Sequence, residues 1–320
     1  MPWTSMTPIL IWAIVFIPFT VILFRTQIKD RLTPILLLLA YTAANLFFFL
    51  VVNWALFIYW VRFLPIIVII FYLIGYLFLS RLKHKPWLQP WNRFYIALRA
   101  GALIVLVIFG ILDAMALRSY VYPAEPKVMA IYPAYTGMYV IVNGGNGLDG
   151  WFMNNSYRDW LGRPTAPTPW QAYAVDIMEI RTNGKVADGF LNTDQNKYEG
   201  SVNEPVYAPC VGVVVDKDFS HPDVKPFSPP GDLLGNRVVI QCANTDYYIT
   251  VSNLMHTYDL VDIGQPVGFN NIIGHIGTSG TPSIPHVHVF ATQGGWDENA
   301  PPVPIEFEFR YPVRNFLYIR

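Results

Sequence analysis

Two hydrophobic patterns divide the chain. Before Tyr120 the apolar residues run almost unbroken, in segments 7–24, 32–60, 63–79 and 100–117. A membrane-spanning helix needs ~20 mostly apolar residues, because the hydrocarbon core is ~30 Å thick and a helix rises ~1.5 Å per residue. The pattern therefore predicts four transmembrane helices in residues 1–119. The second segment is long enough to tilt or to run past the interface. Only Asn53, Trp60, Arg62 and Pro65 separate it from the third. The first segment does not read as a simple signal peptide. It lacks a basic leading region and a small-residue cleavage site, and three more apolar segments follow.

After Tyr120 the period changes. Short β-type runs appear, broken by Gly, Pro, Asn and Asp: GMYVIVNGG, AYAVDIMEI, GVVVDKD, NRVVIQC, DYYITVSNL, IIGHIG, HVHVFAT and IEFEF. Short strands at this spacing predict an all-β antiparallel domain over residues 120–320. Residues 155–170 and 218–234 read as long loops, which in a compact domain are often functional rims. No internal repeat or low-complexity tract interrupts the pattern.

Composition sharpens the division. Hydrophobic residues make up 53% of the chain and charged residues 14%, too apolar for an ordinary soluble protein. Basic residues cluster in the first inter-helix loop (Arg25, Lys29, Arg31) and the third (Arg81, Lys83, Lys85, Arg93), while the second offers only Arg62. Basic loops stay cytoplasmic. The chain is thus expected to be a multi-pass cell-membrane protein with both termini and the β domain extracytoplasmic. Trp87, Trp91 and Tyr95 suit an interfacial aromatic belt. Arg99 and Asp113 lie near helix ends, where side chains can reach the interface, so the helices are expected to anchor or associate, not transport. A formal net charge of zero, without a basic run, excludes a nucleic-acid partner.

Cys210 and Cys242 are the two cysteines, and neither belongs to a C-x-x-C pair, which argues against a cysteine-based zinc site. They form one disulfide if their strands are neighbours in an oxidising compartment; otherwise they are two buried thiols.

The chemistry concentrates in IGHIGTSGTPSIPHVHVFA, residues 273–291. Residues i and i+2 of a strand share a face, so His286 and His288 project into one site. Zinc binds such imidazoles at ~2.0–2.1 Å. The glycine-rich stretch before them allows a tight turn.

With that turn and the preceding Pro285, P-H-V-H resembles the C-terminal signature of lysostaphin-type (LytM-like) zinc endopeptidases, a duplicated-hybrid-motif fold. Other pieces follow in the family's order: QAYAVDI, EPVYAPCVGVVV, GNRVVIQC, DIGQPVGFNNIIGHIG and VPIEFEF. The resemblance spans roughly residues 128–309. It implies a compact antiparallel β structure with a groove over a zinc ion, acting on peptidoglycan peptides. It further implies Asp176 and His288 as metal ligands and His286 as general base or transition-state stabiliser.

The resemblance also implies a first histidine ligand and a second assisting histidine, and both positions depart from it. No histidine lies between His84 and Asp176; the loop that should supply the ligand reads MNNSYRDW, with Asn154, Asn155 and Ser156 in its place. The assisting position falls on Asn253. Two ligands hold zinc weakly, and catalytic zinc normally has three with an open position for water.

Two functions follow. The first is a non-catalytic cell-wall module that binds peptidoglycan or cell-wall peptides, or a membrane or wall-hydrolase partner, with Asn155, Gln171 and Asn253 hydrogen-bonding the peptide. The alternative is an active zinc endopeptidase whose missing ligand is replaced by His221 or His256.

Overall fold

The computed structural model describes residues 2–25, 29–78, 86–88, 92–124, 126–131, 137–150, 152–159, 162–164, 168–188, 193–198, 201–228, 232, 234–280 and 284–319. Arg81, Lys83, Lys85 and Trp91, which entered the topology and belt expectations, lie outside the described residues. The chain forms two compact units. One comprises Trp3–Val52 and Trp60–Ala116; the other is built chiefly from Asn53–Tyr59 and Leu117–Arg320.

The first unit contains the helices α1 (Pro2–Arg25), α2 (Leu32–Val51), α3 (Leu64–Phe78) and α4 (Arg93–Leu117). Among the described residues, two stretches are long and apolar enough to cross a membrane, Leu32–Val51 and Arg93–Tyr120; the apolar stretches Leu10–Val21 and Tyr59–Ile74 are shorter. Polar side chains bridge the helices. Trp12 Nε1 donates to Asn45 Oδ1 at 3.2 Å, and Thr20 and Tyr41 share a hydroxyl–hydroxyl bond of 3.3 Å. Such bonds join helices where hydrophobic contrast cannot. Arg99 does not reach outward as expected. It pairs with the fully buried Asp30, which also accepts from the Thr33 backbone.

The second expected segment, residues 32–60, is shorter than its apolar length suggested. The α2 helix ends at Val51, and Val52 turns extended with ψ 134°. The next residues enter the β unit: Asn53 Nδ2 donates to Val142 O at 3.0 Å, Tyr59 N to Gly184 O at 2.8 Å, and the Tyr59 hydroxyl to Asn315 O at 2.9 Å. Trp54 is wholly buried.

Among the described residues thirteen strands follow: β1 (Val128–Ala130), β2 (Met138–Asn143), β3 (Val175–Glu179), β4 (Pro205–Tyr207), β5 (Gly212–Asp218), β6 (Asn236–Cys242), β7 (Tyr247–Leu254), β8 (Pro266–Val267), β9 (Ile272–His275), β10 (Val287–Gln293), β11 (Pro302–Val303), β12 (Ile305–Phe307) and β13 (Leu317–Ile319). Nine form one sheet in the order β13-β2-β3-β10-β7-β6-β5-β8, with β11 also on β10. The pairings are antiparallel except β1 with β12, which is parallel and departs from the expected all-antiparallel domain. The IEFEF run ends early: Glu308 and Phe309 take positive φ and turn the chain.

Alternation along the central strands separates two faces. Val175, Ile177, Ile249, Val251, Val287, Val289 and Ala291 all point into one main core. The intervening residues of β10, His288 and Phe290, therefore point to the other face. Cys210 and Cys242 are joined in a disulfide. Cys210 sits just before β5, and Cys242 ends the neighbouring β6 opposite Gly212, so the neighbour condition is met.

Candidate functional site

Register builds the site. On β10, His288 lies opposite Asp176 of β3 on one side and Ser252 of β7 on the other; beyond Asp176, its partner on β2 is Asn143. Directly opposed residues share a face, so Asn143, Asp176, His288 and Ser252 form a row across the sheet. His286 joins from just before β10. Gly280, in the preceding turn at φ +87°, approaches Gly235 so closely that a Cβ would come within 2.7 Å of that residue's nitrogen. Only glycine allows this turn.

His288 Nδ1 lies 2.6 Å from Asp176 Oδ1, and its Nε2 lies 3.1 Å from Gln171 Oε1. His286 Nδ1 donates to Ile284 O at 2.7 Å, and its Nε2 is 3.8 Å from Asp176 Oδ1. Both rings are buried. Burial pushes the Asp176 carboxyl up, but the charges of His286, His288 and Arg314 and the His288 hydrogen bond outweigh it. They hold the group below the usual carboxylate range. Beside the row, Trp170 meets Phe290 edge to face at 5.0 Å.

Gln171, expected to bond a peptide, is buried, and its Oε1 is hydrogen-bonded to His288. Asn253 is buried too. It stands at φ +62°, in the irregular stretch of the β6–β7 pairing, and its amide donates to Ser279 O at 2.8 Å. Asn155 is exposed, its backbone donating to Asn143 Oδ1. The neighbouring Asn154, in the loop expected to supply the first ligand, is wholly buried. Its Nδ2 donates to Gly145 O, Ala172 O and Ala174 O at 2.7, 3.1 and 3.0 Å. That position now ties three backbone segments together.

Of the two substitute histidines, His221 pairs with Asp218 at 3.2 Å, and the His256 backbone donates to Asp223. His275 stacks on Tyr258 with Nδ1 on Asn203 O. Among the described residues, the group able to hold a metal is Asp176, His286 and His288, with ligand atoms within 4.8 Å of one another.

This set does not fit a catalytic zinc. Catalytic zinc normally takes three protein ligands beside a separate base, and among the described residues Asp176, His286 and His288 must supply both. If His286 stays a base, two ligands remain. If His286 becomes the third ligand, no base remains.

Arg314 was not expected at the site. It is buried between β12 and β13 and donates from Nη2 to Asn143 Oδ1 at 3.2 Å and from Nη1 to Phe152 O at 3.1 Å.

Residues 196–300 match Peptidase family M23. The match takes in His286 and His288 but not Gln171, Asp176 or Arg314. No curated protein matches the sequence. Among solved structures, the chain is similar to LytU (22% identity over 32% of this chain and 62% of that one, TM-score 0.26). A zinc-containing peptidase from Vibrio cholerae is 19% identical over 54% of this chain and 37% of that one, with a TM-score of 0.33. The catalytic domain of lysostaphin from Staphylococcus simulans is 18% identical over 38% and 78%, with a TM-score of 0.26. The chain thus spans less than two thirds of the first two.

Proposed function

We propose, from the Peptidase family M23 domain carried by residues 196–300, that this is a multi-pass membrane protein with a non-catalytic, peptidoglycan-binding β domain. In this reading residues 1–119 supply four spanning helices and residues 120–320 the extracytoplasmic domain. The groove around Asp176, His286 and His288 binds peptidoglycan peptides, or a membrane or wall-hydrolase partner, and hydrolyses nothing.

One observation carries the non-catalytic part. Asp176, His286 and His288 are bonded to one another or to their own fold, and the His221 and His275 rings have partners outside the site. Without a third ligand and a separate base, a bound water is not activated.

Three features support the membrane part. Apolar side chains stand exposed on each helix, such as Ile14, Leu39, Phe71 and Ile104, which suits a lipid surround and not water. The described basic residues Lys29, Arg31 and Arg93 flank the helices on the side expected to be cytoplasmic. The Cys210–Cys242 disulfide suits an oxidising compartment.

The alternative, an active zinc endopeptidase, draws on the 4.8 Å grouping, in which His286 serves as third ligand. A single incubation separates the two. The full chain in detergent is mixed with purified peptidoglycan and zinc. Sedimentation with the polymer and no release of soluble peptide fragments is the expected result. Fragment release lost in His286→Ala supports the endopeptidase, and absence of binding removes both readings.

A further inference from the structure

We propose that Arg314 supplies, from within the fold, the positive charge that a metal ion supplies in a metal-loaded site of this type, making the groove independent of metal. The inference rests on the non-catalytic reading above and adds a residue and a cause to it.

Asp176 has a largely buried side chain, and a buried carboxylate needs a compensating cation. A histidine is a conditional cation, whereas a guanidinium keeps its charge. Arg314 is 7% exposed. Its Nη2 holds Asn143 Oδ1, and Asn143 is the cross-strand partner of Asp176. The guanidinium is therefore held by the residue that stands opposite Asp176 on the neighbouring strand.

Its position is fixed from several sides. Arg314 N donates to Gly144 O, Asn315 N to Ile141 O at 2.7 Å, and the Tyr59 hydroxyl to Asn315 O. Burial lowers the Arg314 pKa to about 10, opposed by Asp176, which leaves it a cation at neutral pH. A divalent ion on Asp176 and His288 would meet this fixed charge in a low-dielectric setting, where like charges repel strongly. The same charge adds to those of His286 and His288 in lowering the Asp176 carboxyl without an ion.

The test is a double-mutant cycle read by thermal unfolding of the full chain in detergent, with zinc chloride or with EDTA. The unsubstituted chain is expected to melt at the same temperature in both. Arg314→Gln should melt about 10 °C lower, the order expected when a buried charge that holds two acceptors, Asn143 Oδ1 and Phe152 O, is removed from a domain of this size. Zinc should recover part of that loss, and should fail to do so once His288→Ala is added. Asp176→Asn combined with Arg314→Gln should melt above Arg314→Gln alone. If Arg314→Gln does not fold, recovery of folding in the double variant supports the proposal, and failure of both overturns it. Additive losses in a zinc-insensitive protein overturn the role of Arg314 alone. Zinc stabilisation of the unsubstituted chain, reversed by EDTA, overturns both this role and the non-catalytic reading.

Discussion

Asn154 shows how a single side chain can act as a strut. Its amide nitrogen holds three backbone carbonyls inside the protein. Asn154→Ala removes the bonds to Gly145 O and Ala174 O, while Ala172 O keeps Gly147 N, at about 1–3 kcal/mol for each buried group left unsatisfied. The expected outcome is a clear loss of stability in denaturant unfolding, with Asn155→Ala close to neutral. Glu179 carries a second residue-scale expectation. Burial, with a smaller push from Glu204, raises its pKa to about 7 against the pull of Arg181. A carboxyl raised in the folded state binds more protons than the unfolded chain between about pH 4.5 and 7, so its contribution falls as pH rises through that window. Melting temperatures taken across pH 5–8 should show this decline, and Glu179→Gln should flatten it.

The residues of the site were unevenly legible. The i, i+2 spacing placed His286 and His288 on one face, and a resemblance brought in Asp176. The structure joins these three. Gln171 and Asn253 were expected to face a peptide, because polar residues near a groove look alike whether they bind a ligand or a neighbour. Their partners, His288 and Ser279, are set by tertiary packing. Arg314 left no signal: it lies 138 positions from Asp176, with no motif around it.

At the scale of elements, strands were easier to read than the end of a helix. Runs such as NRVVIQC and HVHVFAT became β6 and β10 because turn residues bound them closely. The sequence NWALFIYW continued the apolar run of the second helix, yet Asn53–Tyr59 belongs to the β unit. Burial in lipid and burial in protein select the same side chains, so apolarity alone cannot mark where one ends. The disulfide gives this scale its prediction. It links residues 32 apart in sequence, and closing a loop of that length restrains the unfolded chain by about 4 kcal/mol in the chain-entropy account. Replacing both cysteines by serine should lower the stability of the β unit by about 2–4 kcal/mol, and a reductant should reproduce that loss.

For the whole molecule, the account joins membrane helices to an outward-facing M23 domain that binds and does not cut. Protease added to intact cells should degrade the region after Tyr120 while the loop around Arg81 and Lys83 survives. The reverse pattern would invert the topology. The central claim, however, is the incompleteness of the metal site. The most direct measurement is the zinc content of the full chain purified in detergent without chelators, beside His288→Ala prepared in the same way. The account predicts far less than one zinc per chain, equal in both proteins. One zinc per chain, retained through dialysis and lost in His288→Ala, would contradict it.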